Sequence, residues 1–157
     1  MLSLLNDIST QTKRLDEVHK EKEIYYSLFP SRTILLAPWN MDVDKDQDYI
    51  KKIAFLTDKA KELKLNVLTQ QGLFSNFKTN KTFVFITVEG ETDYKDSLYF
   101  KEGKYACMNL KERDLQKLRN ITKEKDFSSY NYAFYLNTDI YDFCLDHPLH
   151  MMEVQMI

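Results

Sequence analysis

TFVFITVE, residues 82–89, is the clearest secondary-structure signal in the sequence. It is dense in β-branched and aromatic residues, which pack well on a pleated surface, and it therefore predicts a strand. A turn is expected around Gly90. After it, residues 97–100 and 104–108 are two further strands joined through Glu102 and Gly103. The centre of the chain is thus predicted to fold as short strands joined in hairpins.

On either side of this region the pattern alternates between strand and helix. Upstream, a strand at residues 33–37 is closed by Pro38 and followed by a helix from about Gln47 to Lys64, with acidic residues at its start and apolar residues at three–four spacing. A strand that begins at Asn66 bends near Gly72.

Downstream, a shorter helix is predicted at residues 111–123, and strands at 130–136 and 151–157 close the chain. The order strand, helix, strands therefore occurs twice. It predicts an α+β domain of two similar strand–helix–strand halves, with a mostly antiparallel sheet, two helices on one face and a central cleft. Clefts of this kind readily form ligand pockets.

The first 26 residues contain no Gly or Pro and indicate one helix with an imperfect heptad seam, apolar at six of eight positions. We therefore expect residues 1–28 to form a linker or dimerisation helix and residues 29–157 to form the folded domain, so that the protein is a homodimer. Pro30 would end the helix. The alternative is an amphipathic helix that packs on its own domain.

Composition limits the function classes. The chain has 157 residues, 43% of them hydrophobic, a net charge of −2 and no basic block, so this chain alone is not expected to bind DNA. There is no apolar run near the length of a membrane span and the N-terminus is too polar for a signal peptide, which predicts a cytoplasmic protein without membrane contact. Aromatic residues make up 13%, and they suit either a core or a pocket for a flat organic ligand.

Motifs for catalysis, metals and cofactors are missing from the sequence. The three glycines, at 72, 90 and 103, form no phosphate loop, and neither GxSxG nor HExxH occurs, so we expect no catalytic residue, metal or cofactor. Cys107 and Cys144 are interpreted as buried hydrophobes, with a disulfide left open. His147 and His150 flank Pro148 and indicate a solvent-facing turn. The aspartate pairs 42/44 and 139/142 are assigned to polar turns.

Three stretches resemble the GyrI-like effector-binding family. Residues 102–107 (EGKYAC) are similar to its "aGkYA" strand entry, residues 132–137 (YAFYLN) to "yEiYl", and residues 152–156 (MEVQM) to the closing "tEiQip" strand. Their order and spacing match over residues 32–157. The preceding heptad helix resembles the linker that joins MerR-family DNA-binding heads to such domains.

The resemblance implies a sheet-lined cleft for hydrophobic, often cationic compounds, as in multidrug-responsive regulators. In such proteins a buried carboxylate on the strand that matches residues 130–136 faces the cation. Here that position holds Ala133, so neutral effectors should bind at least as well as cations. Tyr135, on the same side by strand alternation, and Glu153 are further cleft candidates. The remaining candidates for ligand binding are aromatic residues at strand ends and in the middle of the sheet: Trp39, Tyr99 and Tyr105.

The sequence therefore predicts the ligand-sensing domain of a bacterial transcription regulator, which binds a hydrophobic small-molecule effector and contacts DNA only through a separate region. Two alternatives remain at this point. One is a small hydrolase that uses Glu153 as a base. The other is a stand-alone inhibitor module that binds a protein, like family members that inhibit a topoisomerase by presenting an acidic surface.

Overall fold

The structure is a computed structural model that describes residues 24–110, 129–142 and 147–157, with residues 137–142 and 147–151 described by their backbone. Within these ranges one helix and eight strands follow in this order: β1 (Tyr25–Phe29), β2 (Arg32–Trp39), α1 (Asp46–Glu62), β3 (Asn66–Asn76), β4 (Lys81–Glu89), β5 (Ser97–Phe100), β6 (Gly103–Leu110), β7 (Tyr132–Asp142) and β8 (His147–Met156). The broad α+β class is confirmed. The second predicted helix, the linker helix up to residue 23 and Cys144 lie outside the described residues.

All eight strands join one antiparallel sheet in the order β1-β6-β8-β7-β3-β4-β2-β5. The order is symmetric about the central pair of β3 and β7. From the centre outward, one arm runs β3, β4, β2 and the other runs β7, β8, β6, with β5 and β1 at the two edges. Strands 2–4 and strands 6–8 therefore have the same arrangement, which agrees with the expectation of two similar halves.

The sheet is strongly curled, and a short connection requires this. β1 and β2 are six strand positions apart in the sheet order, which would be about 29 Å in a flat sheet. Only Pro30 and Ser31 lie between these strands, and the three residue steps from Phe29 to Arg32 span at most about 11 Å. The two ends of the sheet must consequently lie close together, so that one face is enclosed and the other faces outward.

The enclosed side, called the inner face here, is a continuous aromatic core. Phe134 on β7 lies with its ring centroid 5.1 Å from that of Phe74 on β3, 5.3 Å from Phe85 on β4 and 5.1 Å from Phe100 on the edge strand β5. Ile34, Leu36, Tyr105, Cys107 and Leu136 complete this cluster of buried residues. Within the described residues, Phe74, Phe85, Phe100, Tyr105 and Phe134 are therefore core residues. Cys107 is fully buried, as predicted.

Helix α1 covers the opposite, outer face. Its buried residues Leu56 and Ala60 pack on a cluster that includes Leu35, Val84 and Ile86. The helix begins where the sequence predicts, because Asp46 and Asp48 lie in the first turn and the Asp48 carboxylate accepts the backbone N–H of Lys45 at 2.9 Å. No helix within the described ranges is both long and apolar enough to span a membrane.

Three segments differ from the sequence-based expectations. Tyr25–Phe29 forms strand β1 rather than the end of the predicted helix, since its side chains alternate between half-buried and exposed against β6. β8 begins at His147 instead of Met151, so His147 and His150 lie on a strand rather than in a turn. β7 extends to Asp142 and pairs with this part of β8, which places Asp139 and Asp142 in a hairpin ladder as well. Backbone pairing across the long hairpin outweighs the turn tendency of Asp and Pro148.

Candidate functional site

Arg32 is a charged residue buried on the inner face. It is the first residue of β2, directly after the Pro30–Ser31 connection, and strand alternation places it on the same side as Ile34 and Leu36. Only 6% of its surface is exposed. Arginine is almost never fully buried unless it is paired, so its surroundings identify a specialised position.

Aromatic rings surround the Arg32 guanidinium. Its central carbon lies 4.4 Å from the centroid of Phe134, 4.9 Å from Tyr105 and 5.1 Å from Phe29. Each such contact contributes about 0.5–2 kcal/mol, depending on how dry the site is. Among the described residues no carboxylate oxygen lies within ion-pair distance of the guanidinium. The rings therefore offset part of the desolvation cost of this charge, and no direct counter-ion does.

A chain of hydrogen bonds connects Arg32 to the far side of the inner face. Arg32 Nη2 donates to Gln155 Oε1 at 2.9 Å, and Gln155 Nε2 donates in turn to Glu153 Oε1. The second carboxylate oxygen of Glu153 accepts the hydroxyl of Tyr25 at 2.9 Å. Both oxygens of Glu153 are thus hydrogen-bonded, and the residue lies one side chain removed from the guanidinium.

Burial shifts two ionisable groups of this site. Desolvation lowers the pKa of Arg32, although the neighbouring Tyr105 and Cys107, and to a smaller extent the negative charge of Glu153, oppose the shift. Desolvation likewise raises the pKa of Tyr105, while the adjacent Arg32 charge works in the opposite direction. In both cases burial has the largest influence, which indicates a dry site in which electrostatic interactions are strong.

A pocket of about 420 Å³ opens beside Arg32. Its walls are the β1–β2 connection at Phe29–Arg32, the first part of β3 at Val67–Gln70, and Thr87 on β4. The volume falls within the lower part of the range of small-molecule sites. Phe29 and Arg32 belong to both the pocket and the inner face, so the pocket is continuous with the guanidinium site.

An irregularity of β3 builds one wall of this pocket. The pairing of β3 with β4 is regular up to Val67–Val88 and resumes only at Gln71–Ile86. Residues 68–70 are therefore opposite the single residue Thr87, and the strand bulges there. Bulges often occur beside functional sites because they redirect a strand locally.

Two buried polar atoms of the pocket residues have no partner. Among the residues that the structure describes, Arg32 Nη1 and Thr87 Oγ1 are buried and make no hydrogen bond of regular geometry. The Tyr105 hydroxyl interacts with the Arg32 guanidinium, but this contact also lacks regular hydrogen-bond geometry. Thr87 is 3% exposed. An unsatisfied buried donor or acceptor costs about 1–3 kcal/mol, and a charged one costs more. Such groups at the wall of one pocket are typical of a binding site prepared for a ligand.

The six residues that the sequence predicts for ligand binding lie in different parts of the described structure. Tyr105 and Glu153 lie on the inner face near Arg32. Ala133 and Tyr135 do share a side, as predicted, but it is the outer face, where both are buried in a cluster that Trp39 packs against. Tyr99 lies on the edge strand β5 and is 57% exposed.

Arg32, Thr87 and Phe29 carry no sequence signal that marks them as site residues. Arg32 opens the strand at residues 32–39, where a single basic residue looks like an ordinary exposed strand end. Its burial depends on the curl of the sheet, which brings β2 next to β6 and β7. Glu153 and Gln155 share a face of β8, as strand alternation predicts, and their side chains are hydrogen-bonded to each other.

Among the solved structures that are similar to this chain, two are described by name. A protein from Staphylococcus aureus MU50, provisionally named a bacterial transcription regulation protein, is 16% identical, with 85% of this chain and 96% of that chain covered and a TM-score of 0.44. SAV2435, solved with bound tetraphenylphosphonium, is 14% identical, with 85% and 92% covered and a TM-score of 0.45. No protein-family model and no curated protein matches the chain. At these identities the likeness concerns the fold alone.

Proposed function

We propose that this protein is the ligand-sensing domain of a bacterial transcription regulator and that it binds a hydrophobic small molecule in the pocket beside Arg32. One observation carries the proposal. The pocket residues Arg32 and Thr87 are buried, yet Arg32 Nη1 and Thr87 Oγ1 make no hydrogen bond within the described part of the chain. A ligand that supplies the missing hydrogen-bond partner would recover the free energy lost by burying these polar atoms. A core without a binding function would not be expected to keep unpaired polar atoms.

The regulator role rests on the sequence resemblance described above. Three stretches match the GyrI-like pattern in order and spacing, and residues 1–26 are similar to a MerR-family linker. Ligand occupancy would then be transmitted through the N-terminal segment to a DNA-binding region, and a dimer would be the active form.

The hydrolase alternative receives no support from the geometry of Glu153. Both of its carboxylate oxygens already accept hydrogen bonds, from Tyr25 and from Gln155. The residue also does not line the pocket. A general base needs a free oxygen within hydrogen-bond reach of the proton that it removes. Glu153 is better suited to hold Gln155, and through it Arg32, in a fixed position.

Calorimetric titration with a panel of aromatic compounds tests the proposed function, with tetraphenylphosphonium as a cationic probe. Trp39 lies on the outer face and would report poorly on this pocket, so heat is the better signal. We expect saturable binding of at least one compound. Ser31→Trp, at an exposed position of the pocket wall, should weaken it by about tenfold or more.

Thr79→Trp is the matched control, because it adds the same bulk in the exposed β3–β4 turn at the other end of β3. It should leave binding unchanged. If no compound binds, the sensing role is wrong. If binding survives Ser31→Trp, the ligand occupies another site. The assignment of Trp39, Ala133 and Tyr135 on the outer face, which stays a prediction, would then be favoured.

A further inference from the structure

We propose that the ligand of this pocket is a small organic carboxylate with an apolar body, held by a charge-assisted contact with Arg32. The inference rests on the proposed function and adds the chemical class of the ligand. It also departs from the cationic and neutral effectors that the sequence resemblance implies, because the charge that the fold buries here is positive.

The charges around the pocket support an anion. Arg32 is the single charged residue among those that line it, and the others are neutral. The nearest carboxylate that influences Arg32, that of Glu153, is separated from the guanidinium by Gln155. A cationic ligand would meet a like charge in a dry site, whereas an anion would give the guanidinium its missing direct counter-ion.

The pocket residues Arg32 and Thr87 offer donors to a carboxylate. The guanidinium uses Nη2 to hold Gln155, and its Nη1 has no partner in the described part of the chain. The hydroxyl of Thr87 is a second donor at the pocket wall without a partner. Because both atoms are buried, a carboxylate that reaches them would supply an acceptor that water does not. A single cation balances a single negative charge, which favours a carboxylate over a doubly charged phosphate monoester.

The other residues that line the pocket indicate that the rest of the ligand is apolar. Phe29 and Pro30 on one side and Val67 and Leu68 on the other present apolar surface. Val67 and Leu68 are 40% and 45% exposed. A ligand with an apolar body would remove this surface from water, and the hydrophobic effect would then add to the anion contact.

The test compares three naphthalene derivatives of nearly the same size that differ in charge: the carboxylate, the carboxamide and the methylammonium. Calorimetry on the full chain should show the carboxylate binding about tenfold or more tightly than the carboxamide, with the methylammonium weakest. Arg32→Met keeps an unbranched apolar stem and removes the charged guanidinium. It should abolish the preference for the carboxylate and leave carboxamide binding nearly unchanged.

Lys104→Met is the matched control, since it removes one positive charge from an exposed residue that contacts the Tyr26 ring instead of the pocket. It should leave all three affinities unchanged. Thr87→Val, which is nearly isosteric, should weaken the carboxylate about threefold or more and keeps the test usable if Arg32→Met does not fold. A carboxamide that binds the wild-type protein as well as the carboxylate would overturn the anion assignment while the sensing role stands. Failure of all three compounds and of the wider panel would overturn the proposed function itself.

Discussion

At the scale of single residues, Arg32 carries a charge whose burial costs free energy. Moving an ion of this size out of water costs several kcal/mol even after relaxation, and three ring contacts recover about 0.5–2 kcal/mol each. The lowered pKa of Arg32 also shows that burial of the charge costs free energy. The folded state disfavours the charged form at every pH where an unfolded arginine is charged. A charge kept under these conditions points to binding rather than to stability.

Tyr105 provides a pH-dependent test of this dry site. Burial raises its pKa above the usual value of a tyrosine, so the folded state holds the proton more tightly than the unfolded state. Its contribution to stability is therefore fully present below pH 10 and is lost as pH rises through the folded-state pKa. Tyr105→Phe should melt close to the wild type at pH 7, because the hydroxyl makes no hydrogen bond of regular geometry, and should lose less stability above pH 10.

The melting temperatures of the wild type and of Tyr105→Phe are compared by thermal unfolding between pH 7 and about 11. Tyr99→Phe is the control, since it removes an exposed hydroxyl from the edge strand. If Tyr105→Phe and Tyr99→Phe lose stability in parallel with the wild type at alkaline pH, the phenol of Tyr105 is not buried as described.

At the scale of elements, local sequence patterns indicated most of the described strands and the helix. Asp46–Glu62 and Lys81–Glu89 lie within two residues of their predicted bounds, because acidic residues at a helix start and runs of β-branched residues act locally. β1 was missed because a segment of five residues with alternating burial was read as the continuation of a helical heptad. The pocket could not be foreseen, since it depends on a bulge and on contacts between residues far apart in the chain.

The pair of β3 and β7 depends on Gly72. A side chain at this position would collide with the backbone carbonyl of Tyr135 on β7, so only glycine allows the two strands to approach. Gly72→Ala should lower the free energy of unfolding by about 1–3 kcal/mol, measured by urea denaturation. The same change at Gly103, where an added methyl group would find its nearest neighbours at 3.8 and 3.9 Å, should cost much less. Equal effects at both positions would contradict the close approach of β3 and β7.

At the scale of the whole molecule, the curl of the sheet depends on its first strand. β1 pairs with β6 at the sheet edge, and Phe29 places its ring 5.1 Å from Tyr105 and over the Arg32 guanidinium. Without β1 the edge of β6 would be open to other chains, which favours aggregation. The inner face would also lose one of its rings.

Two shortened chains separate the role of β1 from that of the preceding segment. A chain that starts at Ile24 keeps β1 and should melt like the full protein, whereas a chain that starts at Ser31 should melt at least about 5 °C lower or aggregate. Sedimentation of the first against the full chain tests the prediction that the N-terminal segment mediates dimerisation. If both run as monomers, that segment does not mediate self-association. If the chain from Ser31 is as stable as the full protein, β1 does not contribute to the core.

The position of the Pro30–Ser31 connection would couple ligand binding to the N-terminal segment. This connection forms a wall of the pocket and continues through the five residues of β1 into the N-terminal segment. If a ligand changes the equilibrium between two positions of that segment by a given factor, then holding the segment in the favoured position must change the affinity of the ligand by the same factor. Tethering the segment to another domain or to a partner would then change the affinity of the pocket for its ligand without any change to the residues that line it.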